Sequence, residues 1–240
     1  MIAIEVENLT KKYKEKVVVN GINLKINQGE LFALLGTNGA GKTTTIKMLS
    51  TLILPNDGKV KINGLNVIKD RQEIREILNI SPQETAIAPN LSVKENLEFM
   101  AGVYQISNKE EKINELIKMF KLDEVLNQKA KILSGGWQRK VSIAISLIND
   151  PKILFLDEPT LGLDVIARKE LWAVIKHLKG KITIILTTHY MEEAEKLSDR
   201  VGIMAKGNLL TVGTSNELIA KTGAENFEDA FVKIATGGEL

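Results

Sequence analysis

The residues best suited to chemistry form a glycine-rich stretch, Gly36-Thr37-Asn38-Gly39-Ala40-Gly41-Lys42-Thr43-Thr44. Its spacing fits G-x-x-x-x-G-K-[ST], in which backbone N–H groups and a helix N-terminus surround phosphate groups. In this pattern Lys42 reaches the β- and γ-phosphates, Thr43 offers its hydroxyl to Mg²⁺, and Thr44 makes a further phosphate contact. The stretch predicts a nucleotide site of an ATPase or a GTPase; the alternative is a strand-to-helix turn without a ligand. The predicted nucleotide-binding residues here are Gly36, Asn38, Gly39, Ala40, Gly41, Lys42, Thr43 and Thr44.

Two carboxylates, Asp157 and Glu158, follow an apolar run at residues 153–156. Ligands of open α/β sheets bind at the carboxyl ends of the strands, so we expect both acids beside the phosphates. Asp157 is suited to hold Mg²⁺ through water, and Glu158 to polarise the water that attacks the γ-phosphate. His189 follows another apolar run and is placed to sense the γ-phosphate. The alternatives are ordinary surface acids and a structural histidine, which is how we interpret His177.

A second helix start is suited to negative charge. Ser134 favours a helix N-cap, and Gly135 and Gly136 leave backbone N–H groups open ahead of an apolar-patterned helix. By itself this segment is equally compatible with a capped helix in a helical subdomain.

The elements that must position these residues alternate between strand and helix. Apolar runs at 31–35, 153–156, 182–186 and 201–204 are typical of buried strands, and the segments between them are helical. Short strands are predicted over residues 2–33, including a strand pair at 17–19 and 22–26, and a helix is predicted from Lys42 to about Leu52. The sequence therefore predicts an α/β fold with a mainly parallel sheet, an N-terminal antiparallel β-subdomain and a helical insertion at about 86–150. We expect one domain over 1–240, with a C-terminal helix that places Phe227, Phe231 and Ile234 on one face.

Composition excludes several classes of function. The net charge is only +2, less basic than is typical of a nucleic-acid-binding protein, and the absence of cysteine excludes disulfides and thiol nucleophiles. No apolar run approaches the roughly 20 residues that span a bilayer, and the N-terminus does not resemble a signal peptide. A role at a membrane would therefore need partner proteins.

Taken together, the motifs resemble the nucleotide-binding domain of the ATP-binding cassette (ABC) family. The phosphate loop, Leu133-Ser134-Gly135-Gly136 and Asp157-Glu158 occur in the family's order, as do Gln83, Leu163-Asp164 and His189. The resemblance covers residues 2–236 and implies a P-loop NTPase core that binds and hydrolyses ATP with Mg²⁺. In such proteins the catalytic groups match Glu158, His189, Lys42 and Gln83, and the metal ligands match Thr43, Gln83 and Asp157.

The resemblance also implies roles outside the phosphate loop. Tyr13 matches an aromatic that stacks on adenine, although an exposed strand tyrosine is the alternative. Ser134, Gly135 and Gly136 match residues that bind the γ-phosphate held by a second protomer, and Asp164 matches a loop that communicates across the dimer. These roles imply a head-to-tail pair, a homodimer if both chains are this one, on the cytoplasmic face of a membrane beneath separate membrane-spanning subunits.

Local departures are similar to one branch of the family. Trp137 follows the glycines, Leu161-Gly162 precedes Leu163-Asp164, and residues 187–195 look like those of exporters of drugs, lipids, polysaccharides or sodium ions. An exporter is therefore favoured over an importer. Three alternatives stay open: a non-transport ABC ATPase of DNA repair or the ribosome, a P-loop kinase or GTPase, and a nucleotide-binding regulator that does not turn over.

Overall fold

The computed structural model describes residues 1–237, so the last three residues of the predicted 1–240 domain lie outside that range. The described strands are β1 (Ile2–Tyr13), β2 (Lys16–Asn27), β3 (Leu31–Gly36), β4 (Asp57–Ile62), β5 (Leu65–Asn66), β6 (Leu78–Ser81), β7 (Ile153–Asp157), β8 (Thr183–Thr188), β9 (Arg200–Ala205) and β10 (Asn208–Gly213). The described α-helices are α1 (Lys42–Leu49), α2 (Arg71–Ile77), α3 (Val93–Val103), α4 (Lys109–Phe120), α5 (Gly135–Ser146), α6 (Val165–Leu178), α7 (Met191–Leu197), α8 (Ser215–Thr222) and α9 (Phe227–Thr236). Together they confirm the predicted α/β fold.

The central sheet has the order β10-β9-β3-β8-β7-β6, and its pairs are parallel except for the β9–β10 hairpin. Every residue of β3, β7 and β8 is buried, as the continuous apolar runs predict. Asp157 pairs with Thr187, and Leu34 also pairs with Thr187 from the other side. This register brings the phosphate loop after β3, the two carboxylates at the end of β7 and His189 after β8 to the same edge of the sheet.

The N-terminal sheet is antiparallel, with the order β2-β1-β4-β5. The predicted strand pair at 17–19 and 22–26 is wrong, because β2 runs unbroken from Lys16 to Asn27. Leu9 pairs with Ile22 and Lys11 with Val19, so two residues of β2 lie opposite the single residue Thr10. The interruption in the pattern is thus a β-bulge, and the left-handed Gly21 (φ 57°) lies within it.

Helices α3, α4 and α5 lie between β6 and β7 in the chain and contain most of the predicted helical region. Their apolar faces join one buried cluster with the sheet residues Leu154 and Leu156. The first helix, α1, is shorter than predicted: it ends at Leu49, because the chain turns at the left-handed Thr51 (φ 62°). Within residues 1–237, no helix has the length and apolar character needed to cross a bilayer.

The C-terminal helix α9 is present as predicted. Phe227 and Phe231 are buried against the core, and Ile234 is half-buried beside them. Asn226 caps the helix by accepting a hydrogen bond from the Asp229 backbone N–H at 2.9 Å.

Candidate functional site

The phosphate loop joins β3 to α1 and is shaped by close backbone approaches. A Cβ atom at Gly36 would lie 2.3 Å from the Met204 carbonyl oxygen, and one at Gly41 would lie 2.7 Å from the Val18 carbonyl oxygen. Gly41 is also left-handed, with a φ of 104°. Because a larger residue would displace the backbone at both points, the loop requires glycine there.

The Lys42 side chain lies under this loop. Its ammonium donates hydrogen bonds to the carbonyl oxygens of Gly36 at 2.7 Å and Thr37 at 3.3 Å. It also forms an ion pair with Glu158 Oε1 at 3.2 Å, and the two side chains are only 6% and 7% exposed. The ammonium therefore lies between the phosphate loop and the predicted general base.

Asp157 lies behind the loop and is almost fully buried. Its Oδ1 atom accepts hydrogen bonds from the Thr43 hydroxyl at 3.1 Å and the Thr187 hydroxyl at 2.6 Å. Two of the three residues predicted to hold a metal, Thr43 and Asp157, are therefore in direct contact through oxygen atoms, which are the ligands that Mg²⁺ prefers.

Glu158 adopts a left-handed backbone conformation (φ 49°), which is uncommon for a residue other than glycine. Its backbone N–H donates to both the carbonyl oxygen and the hydroxyl of Thr187, at 3.2 and 3.0 Å. Its Oε2 atom lies 2.7 Å from Nδ1 of His189. One carboxylate thus contacts Lys42 through one oxygen and His189 through the other.

A cavity of about 430 Å³ opens over these groups. Most of the predicted site residues meet there, together with Val18 and Leu161, which were not predicted. The lining residues are Val18, Asn38, Gly39, Ala40, Gly41, Lys42, Thr43, Thr44, Gln83, Glu158, Leu161 and His189. Gly36 and Asp157 lie just behind the cavity, in contact with Lys42 and Thr43 respectively.

The remaining predicted residues lie outside this cavity. Tyr13 is half exposed at the end of β1, where the Lys11 ammonium lies 5.2 Å from its ring centroid. Ser134 occupies the predicted N-cap of α5, but its side chain makes no capping hydrogen bond and is exposed. Asp164 caps α6 by accepting hydrogen bonds from two backbone N–H groups at 2.9 Å.

These two helix starts adjoin each other. A Cβ atom at Gly136 would lie 3.2 Å from the Cβ of Ala167, which is in the first turn of α6 after Asp164. Ser134, Gly135, Gly136 and Asp164 therefore belong to a second surface, separate from the cavity.

Two further residues, which support the site from behind the cavity lining, were also missed from the sequence. Thr187 contacts both Asp157 and Glu158, and the only local signal is its position at the end of a buried strand. Arg139 in α5 is buried and donates hydrogen bonds to the carbonyl oxygens of Pro82 at 2.6 Å and Gln83. Burial lowers the pKa of Arg139, and Asp157 partly opposes this by favouring the charged form. The signal in the sequence that could have identified Arg139 is its position at the start of the apolar pattern of α5, where an arginine needs buried acceptors.

Comparison with known proteins identifies the family of this chain. Residues 19–161 match the family described as ABC transporter. The human phospholipid-transporting ATPase ABCA3 is 40% identical over 92% of this chain, and the daunorubicin resistance ATP-binding protein DrrA3 of Streptomyces coeruleorubidus is 35% identical over 99%. The chain spans 75% of DrrA3 but only 13% of ABCA3.

Two solved structures have the same fold. One, an ATP-binding subunit of an ABC transporter, superposes with a TM-score of 0.87 at 29% identity over 97% of this chain and 99% of its own. The other is a dimeric post-hydrolysis state of the ATP-binding cassette MJ0796 bound to ADP and phosphate. It has a TM-score of 0.80 at 27% identity, over 88% of this chain and 98% of its own. The chain therefore belongs to the ABC transporter family, as one of its ATP-binding, ATP-hydrolysing cassettes.

Proposed function

We propose that this chain is the ATPase subunit of an exporter, lying on the cytoplasmic face of a membrane and driving translocation through separate membrane-spanning subunits. The relatives named for drug resistance and phospholipid transport support export. The observation that carries the proposal is the cavity, in which the phosphate loop, Glu158, His189 and Gln83 converge. We further propose that residues 1–240 act as one cassette with the helical insertion at about 86–150, and that nucleic acid is not a partner.

Hydrolysis is assigned to residues around the cavity. The phosphate loop and Lys42 would hold the β- and γ-phosphates, and Tyr13 would stack on the adenine. Glu158 would accept a proton from the attacking water, while His189, 2.7 Å from that carboxylate, would contact the γ-phosphate. A γ-phosphate at Lys42 would compete with Glu158 for the ammonium and so release the carboxylate for the water.

We propose that Thr43, Asp157 and Gln83 hold Mg²⁺. The donor set fits: Thr43 and Asp157 present oxygen atoms 3.1 Å apart, and Gln83, which lines the cavity, would add its amide oxygen. Mg²⁺ bound there supplies positive charge that offsets the charge developing on the phosphates.

Replacing Thr187 with valine tests the support of this metal site. We expect the half-maximal Mg²⁺ concentration for ATP turnover to rise about tenfold or more, because Asp157 loses the hydroxyl that orients it. Stability should fall by about 1–3 kcal/mol, because buried polar groups lose a partner. Thr183→Val is the matched control: Thr183 lies at the other end of β8 and accepts a hydrogen bond from the Gly29 N–H, far from Asp157. Equal Mg²⁺ dependence in both variants would contradict the assignment.

We propose that the second surface completes the cavity of another copy. Ser134 is exposed, its hydroxyl is free of a capping bond, and Gly135 and Gly136 open the N-terminus of a 12-residue helix. Such a helix end attracts a γ-phosphate, yet in its own chain it does not line the cavity. A head-to-tail pair would bring each Ser134 surface over the partner's phosphate loop. The dimeric cassette bound to ADP and phosphate is a structural precedent.

Replacing Ser134 with glutamate is the experiment that tests this pairing. The new carboxylate would face the partner's γ-phosphate, so we expect ATP-dependent dimerisation to weaken by about a hundredfold or more. ATP binding to the single chain should stay within about twofold, because Ser134 does not line its own cavity. Particle mass and Mg²⁺-dependent hydrolysis would be measured with and without a membrane-spanning subunit.

Glu98→Gln, an exposed change on α3, controls for altered surface charge. The proposal fails if Ser134→Glu still forms a dimer with ATP, or if wild type forms none in either setting.

A further inference from the structure

Helix α7 carries a buried carboxyl group that the mechanism above does not use. Glu193 is 0% exposed, and within residues 1–237 it has no ion-pair partner. Its Oε2 atom is buried without a hydrogen-bond partner in the same range. Burial raises the pKa of this carboxyl, and nearby hydrogen-bond donors only partly oppose the shift. Burying an acid without a cation costs free energy of folding, so a role beyond packing is expected of the groups that Glu193 contacts.

Oε1 of Glu193 accepts two hydrogen bonds, and the Thr188 side chain is a further donor beside the carboxyl group. One comes from the Thr160 hydroxyl at 2.9 Å, and the other from the Trp172 indole N–H at 3.0 Å. Thr160 lies two residues after Glu158, and Glu193 lies four residues after His189. The Thr160 bond therefore joins the segment that carries the general base to the helix that follows the histidine. The Trp172 bond joins the same helix to α6.

The geometry around Glu158 depends on where this segment lies. The left-handed Glu158 begins a tight turn in which the Leu161 N–H donates to its carbonyl oxygen at 3.2 Å, and Leu161 lines the cavity. The contact between Glu158 Oε2 and His189 Nδ1 is 2.7 Å. Such a contact is lost if either segment shifts by about 1 Å, because hydrogen bonds weaken beyond about 3.2 Å.

We infer that Glu193 is a positioning residue for ATP hydrolysis, which holds Glu158 in register with His189 through its hydrogen bond to Thr160. The inference rests on the proposed role of Glu158. The Trp172 bond has a different consequence: it fixes α6 against α7 and adds stability. The Thr160 bond therefore serves positioning and the Trp172 bond serves stability, and the two can be removed one at a time.

Turnover of four variants tests this separation. Thr160→Val should lower kcat by about ten- to a hundredfold with little change in the KM for ATP, because misplaced catalytic groups act on the chemical step. Trp172→Phe should lower Tm while leaving kcat within about twofold of wild type. Glu193→Gln retains an acceptor oxygen and should keep most of kcat, whereas Glu193→Ala should match Thr160→Val. Glu195→Gln, an exposed change on the same helix, is the control.

A second readout does not need turnover. The chain has two histidines, so the imidazole NMR signals of His189 can be assigned by comparison with His177→Gln. His177 is exposed on α6 and contacts Lys181, far from the carboxylate. We expect Thr160→Val to move the His189 signals in the same direction as Glu158→Gln does. Trp172→Phe should leave them in place.

The outcomes are distinguishable. If Thr160→Val and Trp172→Phe lower kcat equally, or if Thr160→Val leaves kcat and the His189 signals unchanged, Glu193 is only a structural clamp and the inference is wrong. If wild type hydrolyses no ATP even with a membrane partner, the proposed function fails, and the His189 signals alone decide the geometric claim. Unchanged signals in a folded Thr160→Val protein would overturn it.

Discussion

Glu158→Gln is expected to lower ATP turnover by about 10²–10⁴-fold, because it removes the group assigned to accept the proton of the attacking water. The amide is nearly isosteric with the carboxylate and keeps an oxygen toward Lys42 or His189, so the cavity should keep its shape. ATP binding should therefore persist. Since hydrolysis no longer separates the pair, the variant should accumulate as an ATP-dependent dimer. Steady-state hydrolysis and particle mass, measured with Mg²⁺ and ATP, check both expectations.

The control for this experiment is Glu195→Gln, which makes the same change of side chain at an exposed site on α7. It should hydrolyse ATP at the wild-type rate. Turnover of Glu158→Gln within about tenfold of wild type would remove Glu158 from the role of general base, since that role supplies at least about 10²-fold. Loss of ATP binding in this variant would instead indicate a damaged fold.

Lys42→Ala is expected to weaken ATP binding about 10- to 100-fold, because a charge-assisted hydrogen bond to phosphate contributes about 1.5–3 kcal/mol. Turnover at saturating ATP should fall by a further 10²–10³-fold or so, because the same ammonium stabilises charge on the transferring phosphate. Titration of a fluorescent ATP analogue and single-turnover hydrolysis separate the two effects. Lys47→Ala on the exposed face of α1 is the matched control.

The ion pair between Lys42 and Glu158 adds a stability effect to this prediction. Removing the ammonium leaves a buried carboxylate with His189 as its remaining partner, so Lys42→Ala should lower the free energy of unfolding by about 1–3 kcal/mol. In the double variant with Glu158→Gln, no uncompensated charge remains, and we expect part of that loss to be recovered. Strictly additive losses in urea unfolding would show that the pair carries no coupling energy.

The parts of the site that could be predicted from the sequence are those whose functional residues follow one another within a single short segment. The phosphate loop, Asp157 and Glu158 are of this kind, since a buried strand places the next few residues at the edge of the sheet. Thr187 could not be identified in this way, because its contact with Asp157 depends on the register between β7 and β8. That register is set by long-range packing, which no local pattern contains.

The fold shows the same division. Largely apolar runs predicted β3, β7 and β8, because strands buried on both faces are apolar at most positions. Between the two strands predicted at 17–19 and 22–26 the structure has no break, because β2 continues and places two residues opposite Thr10 of β1 in a bulge. Arg139 was missed because its acceptors are main-chain carbonyls, which carry no mark in the sequence.

The buried contact of Arg139 with the main chain at Pro82 and Gln83 bears on how two ATP molecules would influence each other. Arg139 lies one turn beyond Ser134–Gly136 on α5, and Gln83 lines the cavity of its own chain. In the proposed pair, a displacement of α5 caused by the partner's nucleotide would reach the chain's own nucleotide through one guanidinium. Each protomer would contain one such contact, so each nucleotide would be connected to the other through both protomers. Occupancy of either cavity would therefore alter affinity at the other, which makes the pair a cooperative unit rather than two independent ATPases.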